Sequence, residues 1–175
     1  MKICIGSDHR GFALKEKITE WLKSQNHEVE DCGNTKYDPF DDYPDFAKCV
    51  AKNIQEFLDS DGKTSGVTGS SLEVRRTKWE TGSPEVEEEQ PLGILICGSG
   101  VGVSVMANRF KGVICALGFD PDQARHARTN DHANVLSIPS DYVDFEKAKA
   151  IVEAFLKATP KTEEKYLRRA KKLDE

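Results

Sequence analysis

The run Leu92–Cys97, LGILIC, is apolar from end to end, and no other segment constrains the fold as strongly. A strand with one face in water alternates apolar and polar residues. One that is apolar throughout needs cover on both faces, which is the situation of a strand in a parallel sheet between helices. Lys2–Ser7, Glu28–Cys32, Val113–Leu117 and Val135–Ile138 read as four further strands. Apolar residues between them fall at helical spacing: Leu14, Ile18, Trp21 and Leu22; then Phe46, Val50, Ile54, Phe57 and Leu58; then Val103, Ala107 and Phe110. Asp120–Thr129 and Tyr142–Leu156 also read as helices, and a charged helix over Glu163–Leu173, within about 161–173, closes the chain. This alternation predicts a doubly wound α/β fold, with ligands bound beyond the carboxyl ends of the strands.

At 175 residues the chain is expected to form a single domain, 1–175. The segment from about 59 to 91 breaks the rhythm. It is poor in apolar residues, rich in Gly, Ser and Thr, and ends in the acidic cluster Glu85, Glu87, Glu88 and Glu89. It is predicted to be a flexible insertion. The net charge of −5 argues against broad binding to nucleic acid or to an anionic membrane. The start Met1–Asp8 has too short an apolar run for a signal peptide, and no run is long enough to span a bilayer, so a cytoplasmic protein is expected. Cysteines at 4, 32, 49, 97 and 115 form no CxxC pair and no zinc-finger spacing, which predicts reduced thiols and no metal.

The chemistry concentrates after the strongest strand. Gly98, Gly100 and Gly102 let backbone N–H groups converge on one point ahead of a helix, an arrangement that holds an anion. A dinucleotide fingerprint would need its third glycine at 103, where Val103 stands, and would sit on the first strand, so no nicotinamide or flavin cofactor is expected. Cys97 ends the strand at the mouth of this cradle, and a thiol facing several N–H groups is expected to have a lowered pKa. Its thiolate could serve as a nucleophile, or as a base on a carbon acid with the loop as the oxyanion site. Asp8 and His9 follow the first strand, and Asn130–Asn134 precede the last.

GSDHRGFALKEKI, DDYPDFA and GILICGSGVGVSVMANRFKGV resemble the type B ribose-5-phosphate isomerases, a family that includes the galactose-6-phosphate isomerase subunits. The resemblance covers about residues 1–58 and 92–173. It implies a Rossmann-like three-layer α/β/α sandwich with a five-stranded parallel sheet. It also implies a homodimer or homotetramer whose active site is shared between subunits, and a metal-free aldose–ketose isomerisation of a sugar phosphate through a cis-enediolate. By motif, Cys97 is the base that moves the proton between C1 and C2. Ser99 and the N–H groups of Gly98, Gly100, Val101 and Gly102 hold the enediolate oxygens. Asp8, His9 and Tyr43 contact the sugar.

Three positions depart from the family pattern. Asn130-Asp131-His132 stand where the family has His-Asn-Asp, so the ring-opening position is Asn130. Its amide and Asp131 are left to orient the sugar, and His132 is the nearest substitute acid. Asp141 stands in place of a common arginine, and the phosphate-binding pair on the last helix is Lys165 with Arg169. The resemblance therefore points to ribose 5-phosphate and ribulose 5-phosphate. The alternatives are an isomerase for another phosphorylated sugar, or a sugar-phosphate-binding protein without catalysis.

Overall fold

The computed structural model describes residues 1–62 and 90–175. Five strands, β1 (Lys2–Ser7), β2 (Glu28–Asp31), β3 (Leu92–Cys97), β4 (Cys115–Leu117) and β5 (Val135–Pro139), form one sheet in the order β2-β1-β3-β5-β4. Every pairing is parallel. Six helices accompany them: α1 (Phe12–Ser24), α2 (Tyr43–Gly62), α3 (Val101–Ala107), α4 (Pro121–Asp131), α5 (Phe145–Leu156) and α6 (Glu164–Lys171).

Period-two alternation divides each central strand between two cores. Ile3 and Ile5 of β1, Ile94 and Ile96 of β3, and Leu136 and Ile138 of β5 pack with Ile18, Leu22, Ala124, Ile151 and Phe155 from α1, α4 and α5. Cys4, Leu95, Cys97 and Val135 point the other way, to Val50 and Ile54 of α2 and Val103 and Ala107 of α3. Both faces are therefore covered, and the three-layer sandwich expected from LGILIC is the fold observed. Each fully buried Ile or Leu contributes about 1.5–3 kcal/mol to this arrangement. Gly93 keeps the second core closed, because a Cβ there would stand 2.8 Å from both Val50 and Val135.

The termini follow local capping. The Asp120 side chain accepts from the N–H groups of Asp122 and Gln123 and fixes the start of α4, one residue after the expected position. Asp144 accepts from Lys147 N–H, so α5 begins at Phe145; residues from Tyr142, read above as helix, form a turn instead. Helix α2 continues to Gly62, so residues 59–62, assigned above to an insertion, are helical. Of the rest of that expected insertion, residues 63–89 lie outside the described residues, and Gln90 and Pro91 lead directly into β3.

With this strand order the chain leaves β1 for one side of the sheet and β3 for the other. The crevice between their carboxyl ends is the topological switch point, where α/β folds bind ligands. Among the described residues no helix is long and apolar enough to cross a membrane.

Candidate active site

The two segments at the switch point lie against each other. The turn after β1 runs Asp8-His9-Arg10-Gly11, and a Cβ on Gly11 would strike the Ile96 carbonyl of β3. Only glycine permits this approach. Asp8 is buried, and its Oδ1 accepts from the N–H groups of Arg10 (3.0 Å) and Gly11 (3.1 Å). Burial raises the Asp8 carboxyl above its usual range, against those two bonds and the pull of His9. His9 is held at both ends by the largely buried Asp41, whose Oδ1 accepts the His9 N–H at 3.0 Å and lies 2.7 Å from Nδ1. Asp41 Oδ2 accepts in turn from Asn34 at 3.0 Å, and the fully buried Lys15 donates to the Asn34 carbonyl at 3.2 Å and to Asp31. His9 thus stands at the end of a polar chain that starts on α1. Asp41 was missed in the sequence although it opens the DDYPDFA motif, since nothing local distinguishes it from Asp42.

Cys97 is 5% exposed and points to the α2/α3 side. Gly100 N–H donates to its sulfur at 3.2 Å, with Ser99 and Val103 N–H groups also bonded to it. Sequence reasoning predicted a lowered pKa, and the structure corrects it. Burial raises the thiol, Asp8 pushes it further up, and the N–H groups offset only part of this. Gly100 itself needs glycine: its φ of +73° is left-handed, and a Cβ would meet Leu117 at 2.5 Å. Its carbonyl accepts from Ser104 Oγ at 2.8 Å, and Ser104 Oγ lies 2.6 Å from Ser137 Oγ on β5. A hydroxyl pair therefore supports the loop from below. Ser99 is exposed and its Oγ accepts from Val101 N–H at 3.3 Å. Tyr43, the first residue of α2, lays its ring on Gly102, where a Cβ would stand 2.8 Å from Cε2 and Cζ. Asp8, His9, Tyr43, Cys97, Gly98, Ser99, Gly100, Val101 and Gly102 are accordingly gathered at one end of the sheet.

The remaining expected residues lie at the other end. Asn134 accepts from Gly93 N–H at 2.9 Å, beside the start of β3, whereas Cys97 pairs with Pro139 at its finish. Four strand residues separate these levels by roughly 13 Å. Asn130 and Asp131 end α4, and His132 caps it in a left-handed conformation (φ 59°). The His132 Nε2 lies 2.9 Å from the Lys161 carbonyl, and Lys161 N–H bonds Thr129 O, so the ring fastens α4 to the chain leading into α6. Lys165 and Arg169 are exposed one turn apart on α6, which packs on α4. A histidine not singled out in the sequence also lies here. His126 is exposed one turn before Asn130, with Nε2 2.5 Å from the Asn130 amide and Nδ1 3.8 Å from Asp131. Its signal was the i, i+4 spacing to Asn130 on one helix face.

Comparison with known proteins gives this constellation its context. The sequence model of the ribose/galactose isomerases matches residues 3–80 and 78–173. The chain belongs to the ribose/galactose isomerase family. Within it, the chain is 39% identical over 156 residues to a probable ribose-5-phosphate isomerase B of Mycoplasma genitalium, covering 89% of this chain and 83% of the relative. It is 34% identical to the ribose-5-phosphate isomerase B of Escherichia coli (strain K12), covering 90% and 84%. Of solved members, the crystal structure of the Mycoplasma genitalium ribose-5-phosphate isomerase B with bound ribulose-5-phosphate matches at a TM-score of 0.78 and 36% identity, over 98% of this chain and 93% of that one. A ribose 5-phosphate isomerase from Thermotoga maritima matches at 0.75 and 36%, over 99% and 97%. The family's three-layer α/β fold is thus the fold of this member. Among the described residues no group of His, Cys, Asp and Glu side chains is arranged to hold a metal.

Proposed function

We propose that this protein interconverts ribose 5-phosphate and ribulose 5-phosphate, with Cys97 as the base. The observation that carries the reading is the cradle: one buried thiol, bonded by loop N–H groups, beside Asp8 and His9 at the switch point of a family member. In the forward direction the Cys97 thiolate takes the proton from C2 of the open-chain aldose. The electron pair moves into the C1–C2 bond, and the charge collects on the oxygens as a cis-enediolate. Ser99 and the N–H groups of Gly98–Gly102 bond those oxygens, an environment that stabilises charge only as it develops. The proton returns to C1 and leaves the ketose, with a hydroxyl proton passing between O2 and O1. His9, oriented by Asp41, and Asp8 bond the sugar hydroxyls, and Tyr43 lines the pocket wall.

We read the assembly as a homodimer or a pair of dimers. The residues expected to open the ring and hold the phosphate, Asn130, Asp131, His132, Lys165 and Arg169, lie at the end of the sheet away from Cys97, which supports a site completed by a second subunit. Val101 and Val105 on α3, and the edge-to-face pair Phe119–Tyr142, leave exposed apolar surface for such a partner. Of the two histidines at the end of α4, His126 is the more available for ring opening, because it is exposed on the helix surface whereas His132 is half-buried and bonded to the Lys161 carbonyl.

A coupled assay with ribose 5-phosphate tests the reading. Turnover is expected in the wild type, and Cys97→Ala is expected to lose roughly a hundredfold or more. Wild-type turnover in that variant removes Cys97 as the base; no turnover with any pentose phosphate removes the reaction.

A further inference from the structure

The cradle end of the sheet carries a cation that no motif assigned. Arg10 follows Asp8 and His9 in the β1–α1 turn, and its position is fixed from three directions. Its N–H donates to Asp8 at 3.0 Å, its carbonyl accepts from Ser140 Oγ at 3.1 Å, and its Nη2 lies 2.5 Å from Asp141 Oδ2. Asp141 N–H donates to the Gly98 carbonyl at 3.0 Å, so the pair is tied to the glycine loop. The guanidinium side chain lies against Gly98: a Cβ at 98 would collide with Arg10 Nε and stand 2.9 Å from Asp141 Oδ2. Glycine at 98 therefore makes room for Arg10.

This anchoring leaves the fork open. The Arg10 side chain is 57% exposed, and Asp141 engages one of its five N–H donors. The charged groups that act on it are the Asp141 and Asp8 carboxylates, with the Cys97 thiol beside them. A dianionic substrate entering among them needs a positive charge at the rim. In an open-chain pentose phosphate the phosphate-bearing carbon lies three carbons beyond C2. A sugar with C2 at Cys97 thus places its phosphate near the edge of the cradle. A planar, bidentate donor suits phosphate oxygens at that edge.

We propose that Arg10 grips the phosphate of the substrate, and that Asp141 is a positioning residue holding the guanidinium over the glycine loop. The inference rests on reading the site as one for a sugar phosphate. It assigns this contact to the chain that carries Cys97, independently of Lys165 and Arg169.

Calorimetric binding of ribose 5-phosphate and of ribose to the wild type, Arg10→Ala, Arg10→Lys and Asp141→Asn tests it. Arg10→Ala is expected to weaken ribose 5-phosphate by roughly tenfold to a hundredfold while leaving ribose binding alone. Arg10→Lys should recover part of the loss, and in turnover the loss should fall on KM more than on kcat. Asp141→Asn keeps a side-chain oxygen that accepts from Arg10 Nη2, and so keeps the guanidinium in place, while removing a like charge from beside the phosphate; it should tighten ribose 5-phosphate, the opposite sign. Thermal melts report whether each variant is folded, and Arg10→Lys serves if Arg10→Ala is not. If the arginine variants bind ribose 5-phosphate within about twofold of wild type, or if Asp141→Asn and Arg10→Ala weaken it equally, the pair is a structural tie and the inference is overturned. Turnover of ribose 5-phosphate that survives Arg10→Ala with unchanged KM sinks this inference alone. A wild type that binds ribose 5-phosphate without turning it over sinks the isomerase reading, while the binding comparison still reads Arg10.

Discussion

Gly102→Ala sets two known effects against each other. The residue is the second of α3, where alanine is favoured over glycine by at most about 0.5–1 kcal/mol. The new methyl, however, would stand 2.8 Å from Cε2 and Cζ of Tyr43, so the ring must withdraw to the 3.4 Å of ordinary contact. Overpacking costs about 1–3 kcal/mol in a closed core. Tyr43 is 41% exposed and has solvent to move into, which puts the cost at the low end. The two effects nearly cancel, so stability should fall by no more than about 1 kcal/mol and Tm by only a few degrees. Activity has no such compensation. A displaced pocket wall should lower kcat/KM by roughly tenfold to a hundredfold. The cycle with Tyr43→Ala isolates the cause: with the ring absent, Gly102→Ala should become stabilising, by up to about 1 kcal/mol. Urea denaturation of the four variants, with the coupled assay on each, gives both readouts. Unchanged kcat/KM in Gly102→Ala, or the same sign of stability change with and without the Tyr43 ring, would refute the contact's role.

Two further outcomes are expected. Burial holds the Cys97 thiol above its ordinary value, so below that value the thiolate fraction, and kcat/KM with it, should rise about tenfold per pH unit; a flat profile from neutral to mildly alkaline pH would mean that the thiol is already ionised or is not the base. His126→Ala should slow turnover of ribose 5-phosphate, which cyclises, roughly tenfold more than turnover of a substrate that cannot, whereas His132→Ala should mainly cost about 1 kcal/mol of stability through the lost bond to Lys161; the reverse pattern returns the ring-opening role to His132.

The sheet was readable because its information is local. LGILIC and the shorter apolar runs at the centre declare strands with two buried faces, and five strand segments interleaved with helical stripes leave few topologies. Helix ends were less readable, because Asp120 and Asp144 set them by side-chain capping. The cradle was legible as a strand followed by three glycines, but its electrostatics were not. Cys97's thiol depends on burial and on Asp8, 89 residues away in sequence and next to it only after β1 pairs with β3. The same holds for Asp41 on His9 and for Arg10 with Asp141, contacts between distant segments that no periodicity reports. The Asn130 departure was visible in sequence, whereas His126 is bonded to its amide because α4 runs on to Asp131, past the Thr129 end expected from the sequence.

The separation of Cys97 from Asn130, Lys165 and Arg169 along the strands bears on how much protein is in the test tube. On the proposed reading one chain holds two incomplete halves facing away from each other, and it can neither close a site by folding nor be repaired by its own flexibility. A second copy turned end for end completes two sites at once, so the chemistry follows the law of mass action in the protein itself. Specific activity then ceases to be a constant of the molecule. It declines on dilution below the dissociation constant of the pair, and any ligand that bridges the two halves strengthens the assembly on which its own turnover depends.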